Sequence, residues 1–214
     1  MLSAKQEQIV TIASYTAISD TYYLSRALEN GLDAGLSINE IKEIFLQLNM
    51  YCGFPRGIRG VDIFMQVLEQ RRDKGIKDTE GDSPTPVNDP RSKYARGEEV
   101  HLRISGMSAE ALRFGAMAFI PKINVQLKEY IFADVYESDL LSYADREIIT
   151  FSALLTMNDI EPQAQFHIST AFHVGLSEAE IRQIISIIES QFGKSKGDTG
   201  RTLLANVITE RSKQ

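Results

Sequence analysis

Cysteine is nearly absent from this chain of 214 residues: Cys52 stands alone. A single thiol excludes an internal disulfide, a four-cysteine zinc site and a CxxC redox pair within one chain. Histidine is almost as scarce, and His101, His167 and His173 show no paired ligand spacing, so no metal is implied. Evenly spaced runs of Val, Thr and aromatic residues bounded by turn signals are missing, which argues against sandwiches and barrels. No apolar run approaches the ~20 residues of a membrane-spanning helix, so no membrane partner is expected. Met1 to Ile12 lacks the charged start, apolar run and cleavage site of a signal peptide, and the cytoplasm is the expected location. Basic residues are outnumbered 23 to 29, giving a net charge of -6 and a pI near 5.2, and no face gathers the Lys and Arg needed to hold a phosphate backbone. Nucleic acid is therefore not an expected partner.

What the chain does contain is helix formers, with 43% hydrophobic residues, enough for a real core. An all-α fold is expected. The most informative internal feature is self-similarity. Gly35-Leu36-Ser37 followed by Glu40-Ile41-Lys42-Glu43-Ile44 recurs 140 positions on as Gly175-Leu176-Ser177 followed by Glu180-Ile181-Arg182-Gln183-Ile184. At the same shift Gly53, Arg56, Gly57 and Gly60 fall on Gly193, Lys196, Gly197 and Gly200, while Ser3 and Ile9-Val10-Thr11 answer to Ser142 and Ile148-Ile149-Thr150 at a shift of 139.

Each copy reads as four helices. In the second, Ser142 caps a helix to about Met157, Glu161-Pro162 starts the next, and Gly175 closes it. Ser177 with Glu180 forms a capping box for a third helix that ends at Gly193, and the fourth runs from about Gly200 to Arg211. The first copy follows suit over Ser3 to Ala17, Asp20 to Gly31, Ser37 to Cys52 and Pro55 to Arg72. Lys74 to Pro90 reads as an exposed connector. Helices are expected from Arg91 to Ile104 and from Pro121 to Tyr136, the latter with Ile123, Leu127, Tyr130 and Ile131 on one stripe. The expected organisation is a first unit over 1–74, connector and middle helices over 75–140, and a second unit over 141–214. Short helices with strong apolar stripes need partners, so the units are expected to share an interface across a pseudo-twofold relation and to leave a face for a homo-oligomer.

The segments Tyr51-Cys52-Gly53-Phe54-Pro55-Arg56-Gly57, Leu141-Ser142 to Glu147-Ile148-Ile149 and Phe166-His167 to Gly175-Leu176-Ser177 resemble the unit of the carboxymuconolactone decarboxylase family, over about residues 1–72 and 141–212. The family also includes the alkylhydroperoxidase D type, which reduces peroxides with a thiol pair. One-unit members assemble as rings, commonly hexamers, so the resemblance implies a trimer of two-unit chains, a small-molecule substrate and no cofactor. It also implies a catalytic histidine eight residues ahead of the Gly-Leu-Ser cap, here His167, and a glutamate on the preceding helix, here Glu147. Where peroxide-reducing members carry CxxC, this chain has Ile160-Glu161-Pro162-Gln163, without sulfur.

The residues make a case of their own. Glu147 shares a helical stripe with Phe151 and Leu154, four and seven positions on, which places a carboxylate on a face due for burial. His167 sits between Ala164 and Ala171. An imidazole and a carboxylate beside one apolar cavity suit proton transfer. Glu147 lies farther along its helix than His167 along its own, so helix tilt or a water has to close the gap. Arg56 and Gln163 are the candidate substrate-binding side chains, Arg56 for a carboxylate if it points inward. Cys52 is the possible redox residue, although its place at a helix end reads as a buried, inert thiol. His173 reads as a cation at a helix C-terminus, and His101, beside Glu98 and Glu99, as solvated. Phe114, Phe119 and Tyr130 of the middle segment are candidates to cover the cavity. In the first copy Ala27 stands at the His167 position and Gln8 at the Glu147 position, so any site is asymmetric. The leading reaction is decarboxylation of, or proton transfer on, a small carboxylated lactone or related acid; thiol peroxidase activity and a non-catalytic oligomeric scaffold or ligand-binding relic are the alternatives.

Overall fold

The helices begin where the sequence places capping residues. In the computed structural model, which describes residues 1–213, the first set is α1 (Ala4–Ile18), α2 (Thr21–Asp33), α3 (Ile38–Tyr51) and α4 (Phe54–Asp73). The middle segment holds α5 (Lys93–Ser105), α6 (Ala116–Phe119), α7 (Pro121–Gln126) and a π-helix (Leu127–Val135). The second set is α8 (Tyr143–Thr156), α9 (Glu161–His173), α10 (Glu178–Phe192) and α11 (Lys194–Arg211). The fold is all-α, with no strand among the described residues. Ser3, Ser37, Ser142 and Ser177 each accept a bond from the backbone N–H three residues on, and Gln6, Glu40, Asp145 and Glu180 reach back to complete four capping boxes. Gly53 (φ 82) and Gly193 (φ 94) turn α3 into α4 and α10 into α11, a backbone region that side-chain-bearing residues avoid.

α1 and α8 lie at the centre. α8 is buried from Arg146 through Thr156 on every face, as a helix enclosed by others must be. One continuous apolar core runs through both sets, from Ile9, Ile12 and Ile44 to Ile148, Ile184 and Leu204. Between the sets, polar contacts recur in swapped form. Arg146 of α8 donates to Glu43 of α3 at 3.0 Å, and Gln183 of α10 donates to Glu7 of α1 at 2.6 Å. Positions 146 and 7 differ by the shift of 139 and positions 183 and 43 by 140. A second, smaller core of Val100, Ile104, Ile131, Phe132, Val135 and Tyr136 joins α5 to the π-helix, and Tyr51, Tyr143 and Val174 pack against it.

Three features differ from expectation. α11 begins at Lys194, six residues before Gly200, because Gly197 and Gly200 are packing positions rather than breaks: a Cβ at Gly200 would stand 2.9 Å from Leu155 and 3.0 Å from Ile185. The expected helix from Pro121 to Tyr136 turns into a π-helix at Leu127, which rotates the buried stripe to Lys128, Ile131, Phe132, Ala133 and Val135 and leaves Ile123, Leu127 and Tyr130 half-buried. The connector is exposed for most of its length, yet the carbonyls of Thr79 and Glu80 accept from the N–H groups of Ile38 and Asn39, two free donors at the start of α3. Asp78 and Asp33 both pair with buried Arg71 at 2.8 Å.

Candidate functional site

Ala164 and Ala171, each 1% exposed, let α9 approach α8 closely, and the imidazole between them reaches the carboxylate directly, with no water as go-between: His167 Nδ1 lies 2.8 Å from Glu147 Oε2. Glu147 is fully buried. An ionised carboxylate only accepts, so the imidazole donates to it through Nδ1–H. No described residue bonds to Nε2. The ring stands edge-on to Tyr51 and Phe166, each with its centroid 5.5 Å away.

Glu147 has a second partner from the π-helix region, the Tyr136 hydroxyl, which donates to its Oε1 at 3.2 Å. Burial first, and the Glu147 charge second, push the phenols of Tyr136 and Tyr51 upward, so both keep their protons. Beneath them Gln47 of α3 donates to the Arg146 carbonyl and the Thr150 hydroxyl, both at 2.7 Å. Arg146, itself fully buried, donates to Glu43 and to the Ser138 carbonyl at 3.0 Å and lies over the Tyr136 ring. The His167–Glu147 pair thus rests on a network with members from α3, α8 and the end of the π-helix, and of the two only His167 lines the cavity.

His167 opens onto a cavity of about 430 Å³, within the ~300–1,000 Å³ range of small-molecule sites. Phe114, Phe132, Phe166, Leu127 and Leu154 give it an apolar wall, and Tyr51, His101, Gln163 and His167 supply the polar groups. Leu127 and Phe132 are five residues apart, about 140° around an α-helix axis; the i→i+5 pattern of the π-helix lets both reach the same cavity. A larger groove of about 780 Å³ along α4 is bordered by charges of both signs, among them Arg59, Asp62, Glu69 and Arg72, and holds no histidine. The smaller cavity is the one where polar groups converge on apolar walls.

The sequence candidates divide. His167, Glu147 and Gln163 come together, Gln163 at the exposed rim. Arg56 does not join them: it is exposed at the start of α4 and donates to the Cys52 carbonyl at 3.2 Å. Cys52 is buried outside the cavity lining, and burial pushes its thiol up to about 12. Of the three covering candidates Phe114 lines the cavity, while Phe119 is 87% exposed and the Tyr130 hydroxyl lies 3.5 Å from the Leu46 carbonyl. Glu147 does not pair with Arg146 or Arg182; those cations are taken by Glu43 and Glu178. His173 ends α9, and its ring rests against Gly106.

His101 overturns its expected exposure. It is 5% exposed, lines the cavity and stacks on Phe132 at 4.2 Å and 14°. Burial first, then the charges of Lys128 and His167, push it down to about 4 against the pull of Glu98. The signal for this was present: Gly97, Val100, His101 and Ile104 form an i, i+3, i+4, i+7 stripe. Gln47 and Tyr136 were also missed as site members. Gln47 follows Glu43 by one helical turn beside the core positions Ile44 and Leu48, a pair of polar residues bordering an apolar face.

Among the described residues no group of three or more His, Cys, Asp or Glu side chains is placed to hold a metal ion. Among the described residues no helix is long and apolar enough to cross a membrane. No family model matches the chain, and no curated protein matches it either.

Proposed function

We propose that the cavity is the active site of a cofactor-independent enzyme that moves a proton on a small oxygenated ring, with His167 as the acid and base and Glu147 as the residue that orients it. The observation that carries this reading is the 2.8 Å bond from His167 to the fully buried Glu147 at the wall of an apolar cavity. The resemblance to the carboxymuconolactone decarboxylase family supports the same two residues and supplies a reference reaction, decarboxylation of a carboxylated lactone. In that reaction the bond to the carboxyl carbon breaks, its electron pair spreads into the ring carbonyl, carbon dioxide leaves, and protonated His167 returns a proton to carbon. The Gln163 amide at the rim is the candidate donor to the carbonyl oxygen as its charge grows.

On the same reading the two four-helix sets are copies of one unit, supported by the matched capping boxes and the swapped Arg146–Glu43 and Gln183–Glu7 contacts. A cytoplasmic homo-oligomer, a trimer on the ring analogy, is part of the proposal. Exposed Leu46, Met50, Phe54, Ile58 and Met65 on α3 and α4 support an interface there. Thiol peroxidase chemistry finds no support in Cys52, whose thiol is buried and held protonated.

The test is turnover of carboxylated and uncarboxylated lactones before and after His167→Ala. A fall of about 10²–10⁴ is expected for loss of a general acid or base. Equal turnover in the variant removes His167 from the reaction.

A further inference from the structure

The cavity wall carries no Lys or Arg. Three cations adjoining lining residues in sequence or contact are occupied: Arg146 by Glu43 at 3.0 Å, and Lys128 and Arg113 both by Glu98, at 2.6 and 2.8 Å. A carboxylate entering the cavity would find no ammonium or guanidinium there, and at His167, whose imidazole already faces fully buried Glu147, two carboxylates would share one ring.

His101 offers something different. Its Nδ1 is sealed in the protein without a hydrogen-bond partner, no described residue bonds to its Nε2, and the residue lines the cavity. An orphaned N–H is the rarer and more costly state for a buried nitrogen, so the favourable tautomer keeps the lone pair on Nδ1 and the proton on Nε2, as a donor into the cavity. The depressed proton affinity noted above keeps the ring neutral. A buried polar side chain with neither nitrogen satisfied calls for an explanation, and a ligand oxygen supplies one.

We propose that His101 is a ligand-contacting residue and that the cavity takes an uncharged one- or two-ring molecule bearing a hydroxyl or carbonyl oxygen, with its ring against Phe132 and Phe166 and its oxygen accepting from His101 Nε2–H. This rests on reading the cavity as the substrate site, and within the proposed function it selects proton transfer over loss of carbon dioxide. A neutral donor sits on the oxygen where charge accumulates when His167 removes a proton from the adjacent carbon, and the same proton returns at a second carbon to complete the isomerisation.

The experiment titrates the full-length protein with 2-naphthol and with 2-naphthoate, two probes of one shape that differ in charge, by calorimetry and by ¹⁵N-imidazole NMR. Expected are binding of 2-naphthol with a shift of the His101 resonances, and 2-naphthoate weaker by at least about tenfold. His101→Phe should lose about tenfold in 2-naphthol affinity while His101→Gln, which keeps an N–H donor, stays within about threefold. Equal affinity for the two probes, no binding of 2-naphthol, or wild-type affinity in a His101→Phe protein that melts normally each overturns the proposal. Turnover separates it from the proposed function: an inactive protein that still holds 2-naphthol through His101 sinks only the enzymatic reading, and an active one indifferent to His101 sinks only this one.

Discussion

The side chains that frame the cavity in the second helix set and those 139 or 140 positions earlier in the sequence are packed in opposite ways. In the second set the cavity is bounded by Leu154, Gln163 and His167 with Tyr51 from α3. In the first set the positions 139 or 140 residues earlier are Tyr15, Tyr23 and Ala27. There Tyr15 stacks on Tyr23 at 5.3 Å and packs on Phe192 at 4.9 Å, so rings fill the space. Ala27 is buried where an imidazole would stand. The difference lies in the side chains and in the middle segment, which packs on α9 of the second set and on α3 of the first and lines the cavity between them.

The largest expected effect tests how unequal the swapped contacts are. Arg146 and Glu43 form an ion pair with side chains 0% and 7% exposed, and Arg146→Ala strands a buried carboxylate, costing about 3–5 kcal/mol. Glu7→Ala, at the answering position, removes one partly buried neutral-partner bond and costs about 1 kcal/mol. Urea unfolding of both variants measures the ratio, and equal losses would erase the distinction.

Next in size is a pH effect confined to the cavity. His101 titrates near 6.5 when unfolded and near 4 when folded. Between those values the unfolded chain binds a proton that the folded protein refuses, so stability present at neutral pH is lost as pH falls from about 6.5 to about 4, by up to about 3 kcal/mol. The groups facing that ring are Lys128 and His167, which oppose its charge, and Glu98, which favours it. His101→Phe should lose this share of the acid sensitivity, read as the difference between wild-type and variant stability at pH 7 and pH 5. A constant difference would place the imidazole in water.

The smallest effect concerns what the sets have in common. Ser37→Ala and Ser177→Ala remove capping boxes of the same geometry and should each cost about 1 kcal/mol. Thermal unfolding in which one is silent would show that the helix starts are not interchangeable.

Much of this architecture was legible in local chemistry. Serine caps, closing glycines and helical stripes are interactions between residues three or four apart, and all four boxes formed where serine and its third neighbour allowed. The pairing of His167 with Glu147 could also be read, because both lie on adjacent helices with small residues between. The middle segment's contribution could not. His101 is buried by Phe132 and faced by Lys128, side chains some thirty positions away on a helix whose hydrogen bonds shift to i→i+5, a change that hydrophobic spacing does not announce. The start of α11 was missed because Lys194 to Gly200 has no apolar stripe, while its glycines serve contacts with Glu189, Leu155 and Ile185. Arg56 was misplaced because a sequence shows charge and spacing but not the direction in which a long side chain points.

Gln47 carries one more consequence. It belongs to α3, yet it holds the Arg146 carbonyl, the Thr150 hydroxyl and, at 3.4 Å, the Tyr136 phenol, beside the Glu43 carboxylate that neutralises Arg146. A fragment starting at Leu141 would keep the imidazole and its carboxylate and forfeit the groups that brace them. Modular recombination therefore has no clean cut to make: a grafted C-terminal portion would arrive with an unneutralised guanidinium in its interior and without the middle-segment side chains that line the cavity, while the first helix set is the keel of a site whose wall it reaches only through Tyr51.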